Sequence, residues 1–205
     1  MRSLFRVLTF LGLVLLNMTS NAIALPDFKS SPKEHLEALR KKFGEAPTVL
    51  IVEIASQKMH QYEGAQLLKT YSVSTSKYGI GSEVGSQKTP LGVHTVKEKF
   101  GIDAPKATIF KARVNSGQLA HVNTNATQSK ADYVTSRILW LQGLESGKNR
   151  GRGVDSFKRY IYIHGTADEG LIGKPASHGC VRMLNDDVIE LYNKVPLGTL
   201  VHIIR

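Results

Sequence analysis

The chain carries one cysteine, Cys180, inside the run Ser177-His178-Gly179-Cys180-Val181-Arg182, with a second histidine, His164, sixteen residues upstream. A thiolate attacks carbonyl carbon well, but an ordinary thiol titrates near 8.5, so a nucleophilic cysteine needs a base or cationic surroundings. His164 is the candidate base. It closes the apolar run RYIYIH (159–164), so its ring should project from a strand rather than from a mobile loop. Gly165, Gly170, Gly173 and Pro175 allow the chain between to fold back and bring Cys180 against that strand end. Gly179 permits close backbone approach to a substrate, and successive amides at such a turn can converge on an oxyanion. His178, next to the nucleophile, would point the other way along extended backbone, which suits it to orienting the loop, lining the pocket or assisting protonation. Arg182, two positions after the thiol, is a candidate to hold a substrate carboxylate bidentately, with a solvated arginine as the plain alternative.

Two other readings compete for these residues. A lone cysteine is often a small buried hydrophobe. His164, His178 and Cys180 are also three zinc-type ligands, but a structural site takes four. His94, His121 and His202 are scattered and supply no paired fourth, so no metal or other cofactor is expected.

The elements that must position this chemistry read mainly as strands. TVLIVEI (48–54), KMHQYE (58–63), LLKTYSVST (67–75), GVHTVKEKF (92–100), TIFKARV (108–114), RILWLQGL (137–144), RYIYIH (159–164) and TLVHIIR (199–205) are rich in β-branched and aromatic residues. Many short strands between turn signals predict a β-sandwich or barrel-like domain. Two helices are expected. The first follows Ser31 as N-cap, with Pro32 in the first turn, Glu34 completing a capping box and Gly44 as the stop. The second is capped by Asn185, ended by Pro196, and turns Val188, Ile189, Leu191, Tyr192 and Val195 to the core. Runs 145–156 and 115–136 read as polar surface loops, the second as a lid or a plain loop.

The N-terminus reads as an address. Arg2 and Arg6 precede the apolar run 7–16, and Ala22-Ile23-Ala24 offers a small-x-small cut site, the layout of a secretory signal peptide over 1–24. That run is too short to span a hydrocarbon core, which takes about 20 residues, so no stable membrane span is expected. Removing 1–24 takes away two arginines and no acid, lowering the formal charge from +10 to +8. An exported basic domain suggests an anionic partner, wall polymer or a phospholipid surface, between which charge alone does not choose; nucleic acid is disfavoured by export and by the lack of a recognisable binding module. The division is then a leader at 1–24, a helical approach segment at 25–47 and one domain at 48–205.

With those residues in view, IHGT…IGKPASHGCVRM resembles the signature of the L,D-transpeptidases, the YkuD-type catalytic domain of bacterial wall enzymes. VSTSKYGIGSEVGSQKTPLGVHTV (73–96) is similar to the family's glycine-rich stretch before a strand. The resemblance implies a mainly β, sandwich-like domain with a few peripheral helices. It implies Cys180 as acylated nucleophile, His164 as base and the Gly165 carbonyl as the orienting third member. His178 and Gly179, with Ser177 and Arg182, would form the oxyanion and substrate-binding loop. Arg182 stands where the family often has asparagine. The implied substrate is the peptidoglycan stem peptide: the thiolate attacks the third-residue carbonyl, D-alanine leaves, and an amine acceptor takes the acyl group. A second stem would give a 3→3 cross-link, and an outer-membrane lipoprotein lysine would give anchoring. The implied location is the periplasm, and carbapenems are the implied inhibitors. The alternatives are a same-fold hydrolase (a carboxypeptidase, or an amidase acting on wall-linked protein) and a non-catalytic wall-binding module.

Overall fold

A computed structural model describes residues 24–129 and 131–205. The expected leader lies outside the described residues apart from Ala24.

Ten strands form one branched mixed sheet: β1 (Thr48–Glu53), β2 (Lys58–Glu63), β3 (Gln66–Ser72), β4 (Gly92–Phe100), β5 (Thr108–Lys111), β6 (Val114–Leu119), β7 (Val134–Gly143), β8 (Tyr162–Thr166), β9 (Val181–Met183) and β10 (Leu200–Ile204). The path runs β3-β2-β1-β10-β4-β7-β5-β6, while β8 branches from β7 and carries β9 on its free edge. β1 pairs β10 in parallel and β8 pairs β9 in parallel. The fold is thus mainly β with peripheral helices.

β1 is apolar on both faces because both faces are covered. Leu50 and Val52 enter the main core with Met59, Leu139, Ile163 and Val181; Val49 and Ile51 pack against Leu36 and Leu39 of helix α1 (Pro32–Phe43). Helix α2 (Asn185–Lys194) closes the main core with Val188, Leu191 and Tyr192, while Ile189 is only half-buried.

Several local expectations need correction. Ser31 sits at the start of α1 but makes no side-chain cap bond, so the capping box is not formed. Asn185 is the first residue of α2, with Leu184 at the cap position. Its amide instead accepts from Thr135 Oγ1 and Ser136 Oγ and donates to the Thr166 carbonyl and Glu169 Oε1, joining β7, β8 and α2. Part of the expected loop 115–136 is strand. β5 turns directly into β6 through Ala112 and Arg113, both at positive φ, 47° and 68°. β7 begins at Val134, and β8 runs two residues past His164, placing the candidate base inside a strand.

Candidate active site

β8 and β9 are short, but their parallel register fixes the site. His164 lies opposite Arg182 and Ile163 opposite Val181. Side chains alternate, so Ile163 and Val181 go to the main core while Tyr162, His164, Cys180 and Arg182 share the other face. Cys180 is therefore level with Tyr162 and diagonal to His164, a spacing of about 7–8 Å between diagonal neighbours that longer side chains bridge.

The Sγ atom of Cys180 accepts from the Tyr162 N–H at 3.4 Å and donates to the Tyr160 carbonyl at 3.3 Å. In this state the thiol proton is engaged by the Tyr160 carbonyl. Burial pushes the thiol up to about 12. The residue lines a cleft of about 330 Å³ with His178, Tyr160, Arg159, Lys158, Gln87 and Val84.

His164 is 2 % exposed. Its Nδ1 lies 2.6 Å from the Gly165 carbonyl, an acceptor only, so Nδ1 carries the proton and Nε2 the lone pair. Burial lowers its pKa from 6.5 to about 4. The resting pair is a neutral imidazole with its basic nitrogen free and a neutral thiol. Gly165 has a further role: a Cβ there would come within 2.6 Å of Asn185 Oδ1 and 2.8 Å of the Thr135 carbonyl. A side chain at 165 would break the junction that seats β8.

The loop before the thiol is held from two sides. Gly179 stands at φ +125°, a conformation few side-chain-bearing residues adopt. Its carbonyl accepts from Thr89 Oγ1 at 3.0 Å. The Thr75 carbonyl accepts from the amides of both Ala176 and Ser177, and Ser74 and Arg182 exchange both backbone bonds at 2.9 Å. The stretch 73–89 thus braces the loop that presents Cys180.

Ser177 is a correction to the substrate-binding set. It is fully buried, and its hydroxyl donates to the Cys180 carbonyl at 2.6 Å while accepting from the Gly179 amide at 3.2 Å. It locks the turn and does not reach the cleft. Gly179 N–H is therefore occupied, which leaves the Cys180 amide, unbonded among the described residues, as the donor at hand for an oxyanion.

Arg182 is corrected as well. At 1 % exposure it is neither solvated nor open to a substrate carboxylate; it pairs inside the protein with Asp132. The same Asp132 oxygen accepts from His178 Nδ1 at 2.7 Å. His178 reaches the cleft edge, its ring 5.8 Å from that of Tyr78.

Three participants were not singled out from sequence. Asp132 lies 46 and 50 positions from its partners within a polar run. Arg159, half-buried, donates to the Lys88 carbonyl at 2.7 Å and ties the 81–88 segment to the cleft. Arg113, at the β5–β6 turn, covers Trp140 at 4.4 Å and donates to the Tyr162 hydroxyl at 3.1 Å. Nothing in composition marked them, although Asp132 is an acid in an otherwise uncharged neighbourhood from Ala131 to Ser136. Among the described residues no group of three or more His, Cys, Asp and Glu side chains is arranged to hold a metal ion. No helix among them is long and apolar enough to cross a membrane.

The thiol of Cys180, the imidazole of His164 and the carbonyl of Gly165 are thus brought together by β8 and the residue that leads into β9. Residues 47–203 match the YkuD family, the L,D-transpeptidase catalytic domain, and the chain belongs to that family. It is 54 % identical over 48 residues to the putative L,D-transpeptidase YkuD of Bacillus subtilis, covering 23 % of this chain and 29 % of that protein. Against the probable L,D-transpeptidase YcfS of Escherichia coli, identity is 27 % over 158 residues, covering 76 % of this chain and 43 % of that one. The chain thus spans less than half the length of these curated relatives. Among solved structures, an L,D-transpeptidase from Mycobacterium smegmatis aligns at a TM-score of 0.47 and 14 % identity, covering 79 % of this chain and 60 % of the other.

Proposed function

We propose that this chain is a cysteine-dependent L,D-transpeptidase acting on peptidoglycan stem peptides in the periplasm, after export by a cleaved leader. The observation that carries the reading is the placing of a cleft-lining thiol on the same strand face as a buried imidazole whose Nδ1 is held by the Gly165 carbonyl.

The thiol proton passes to His164 Nε2 and the thiolate attacks the carbonyl carbon of the third stem residue. The Cys180 amide stabilises the oxyanion; one such donor contributes about 3 kcal/mol to the transition state. Collapse breaks the amide bond, and the leaving D-alanine amine takes the proton from His164. An amine on a second stem then attacks the thioester, gives its proton back through His164 and forms a 3→3 cross-link, regenerating the thiol. A lipoprotein lysine would follow the same steps, and water would give hydrolysis.

Because the resting thiol is held neutral by burial, thiolate forms in the substrate complex, as the imidazole takes the proton during attack. The cationic rim at Lys158 and Arg159 suits carboxylate-bearing stems. Incubation of the mature protein with disaccharide-tetrapeptide tests the reading by mass. Loss of D-alanine with dimer formation, abolished by Cys180→Ala and by a carbapenem that adds to Cys180, is expected. Tripeptide without dimer would make it a carboxypeptidase; no product and no adduct would overturn the catalytic reading.

A further inference from the structure

Arg182 poses a physical problem. Its guanidinium is buried across the register from His164, and among the described residues none of its three nitrogens makes a well-directed hydrogen bond. A buried cation persists only when compensated. Its one ion-pair partner among the described residues is Asp132, at 2.5 Å from Nη2. That carboxylate comes from the segment between β6 and β7, and the same oxygen holds His178. One acidic side chain therefore ties the covering segment to both ends of the run 178–182.

We propose that Asp132 is a positioning residue of the catalytic centre: it neutralises Arg182 beside the base and holds His178 at the cleft edge, so that His164 can take the thiol proton. The proposal rests on the acyl-transfer reading of this site. The charged and titratable groups facing Asp132 are Arg182 on β9, His164 on β8, and His178 and Cys180 on the loop between. Arg159 faces the thiol from the far side. The carboxylate favours a protonated His164 and disfavours the thiolate, while Arg182 does the opposite at both. Removing the acid leaves the cation unopposed, so the base weakens and the thiol becomes more acidic. Both apparent pKa values should fall, as properties of the coupled pair.

Asp132→Asn retains size and an acceptor but removes the charge. Three measurements are made on the mature protein: kcat and KM for D-alanine release, the pH dependence of Cys180 alkylation by iodoacetamide followed by intact mass, and thermal unfolding. Asp132→Asn should lower kcat through the loosened His178 and Arg182, with KM little changed, since equal falls in both pKa values leave the proton transfer itself in balance. Its alkylation midpoint should move to lower pH by on the order of one unit. Asp132→Glu should restore part of both, and Arg182→Gln added to Asp132→Asn should return the midpoint toward wild type. An unchanged midpoint in folded Asp132→Asn protein would overturn the proposal, whatever happens to melting temperature or turnover. A shifted midpoint in a protein whose wild type releases no D-alanine would sink the transferase reading and leave the Asp132 assignment standing.

Discussion

His94 on β4 and His164 on β8 are nearly the same group in two places. Both are buried, both give Nδ1–H to a glycine carbonyl (Gly92 at 2.9 Å, Gly165 at 2.6 Å), and burial lowers both to about 4. They differ in what meets Nε2. At His94 it is the hydroxyl of Ser156, 3.0 Å away and itself wholly buried. At His164 it is bonded to nothing among the described residues and shares a strand face with a cleft-lining thiol. A dry, neutral, oriented imidazole is therefore a structural unit this fold uses twice. What sets the proposed base apart is its second nitrogen, unbonded among the described residues, and the cleft-lining thiol on the same strand face. A lowered pKa by itself would have chosen neither.

The comparison breaks most sharply under paired substitution. His164→Gln should reduce D-alanine release by about 10³-fold, within the usual range for losing a general base. His94→Gln should leave kcat and KM within about twofold and act on stability alone. The assay is initial-rate D-alanine release, with circular dichroism to confirm folding. A comparable activity loss in both variants would mean that burial, and not the free nitrogen, distinguishes this site.

The two histidines were unequally legible in sequence, and so were the elements around them. β2 and β4 have the bounds that residue type predicts, because turn residues flank them on both sides. β6 did not stand out: it is exposed along most of its length, and its turn uses Ala112 and Arg113 at positive φ, where glycine or asparagine would have signalled it. β9, three residues long, is held by pairing with β8 and Ser74 and by no pattern of its own. Cys180, His164 and Gly165 could be read because the motif packs them into seventeen positions. Ser177 and Arg182 were misassigned because adjacency in sequence says which residues are near, not which are buried. Asp132 needed the fold, since its partners are brought to it by β7, β8 and β9 together.

Next in size is the turn that presents the thiol. Gly179→Ala places a side chain at φ +125° with its Cβ 3.4 Å from the Lys88 carbonyl. The strain should cost about 1–3 kcal/mol and shift the Cys180 amide, so kcat should fall more than stability explains. Ser156→Ala is the counterpart at the other histidine. It leaves Nε2 of His94 buried without a donor, a loss of about 1–3 kcal/mol in urea unfolding, with turnover unchanged. If Ser156→Ala slows D-alanine release while Gly179→Ala does not, the assignment of a catalytic and a structural histidine is reversed.

The last expected effect is one the two histidines should share. Each takes up its proton in the unfolded chain near 6.5 but in the native protein only near 4. Between those values the unfolded state binds more protons, so stability rises with pH and is lost as pH falls from about 6.5 toward 4. Each histidine contributes a slope of up to about 1.4 kcal/mol per pH unit in that window. His202, lowered to about 3 and bonded to His35 at 2.9 Å, extends the same trend to lower pH. Urea unfolding from pH 7 to pH 4 should therefore show a steep acid limb. His94→Gln and His164→Gln should each flatten it by about one proton, equally, although only one of them touches turnover. Unequal flattening would show that a neighbour such as Asp132 already shares the His164 proton in the resting protein, and that the two environments differ before any substrate arrives.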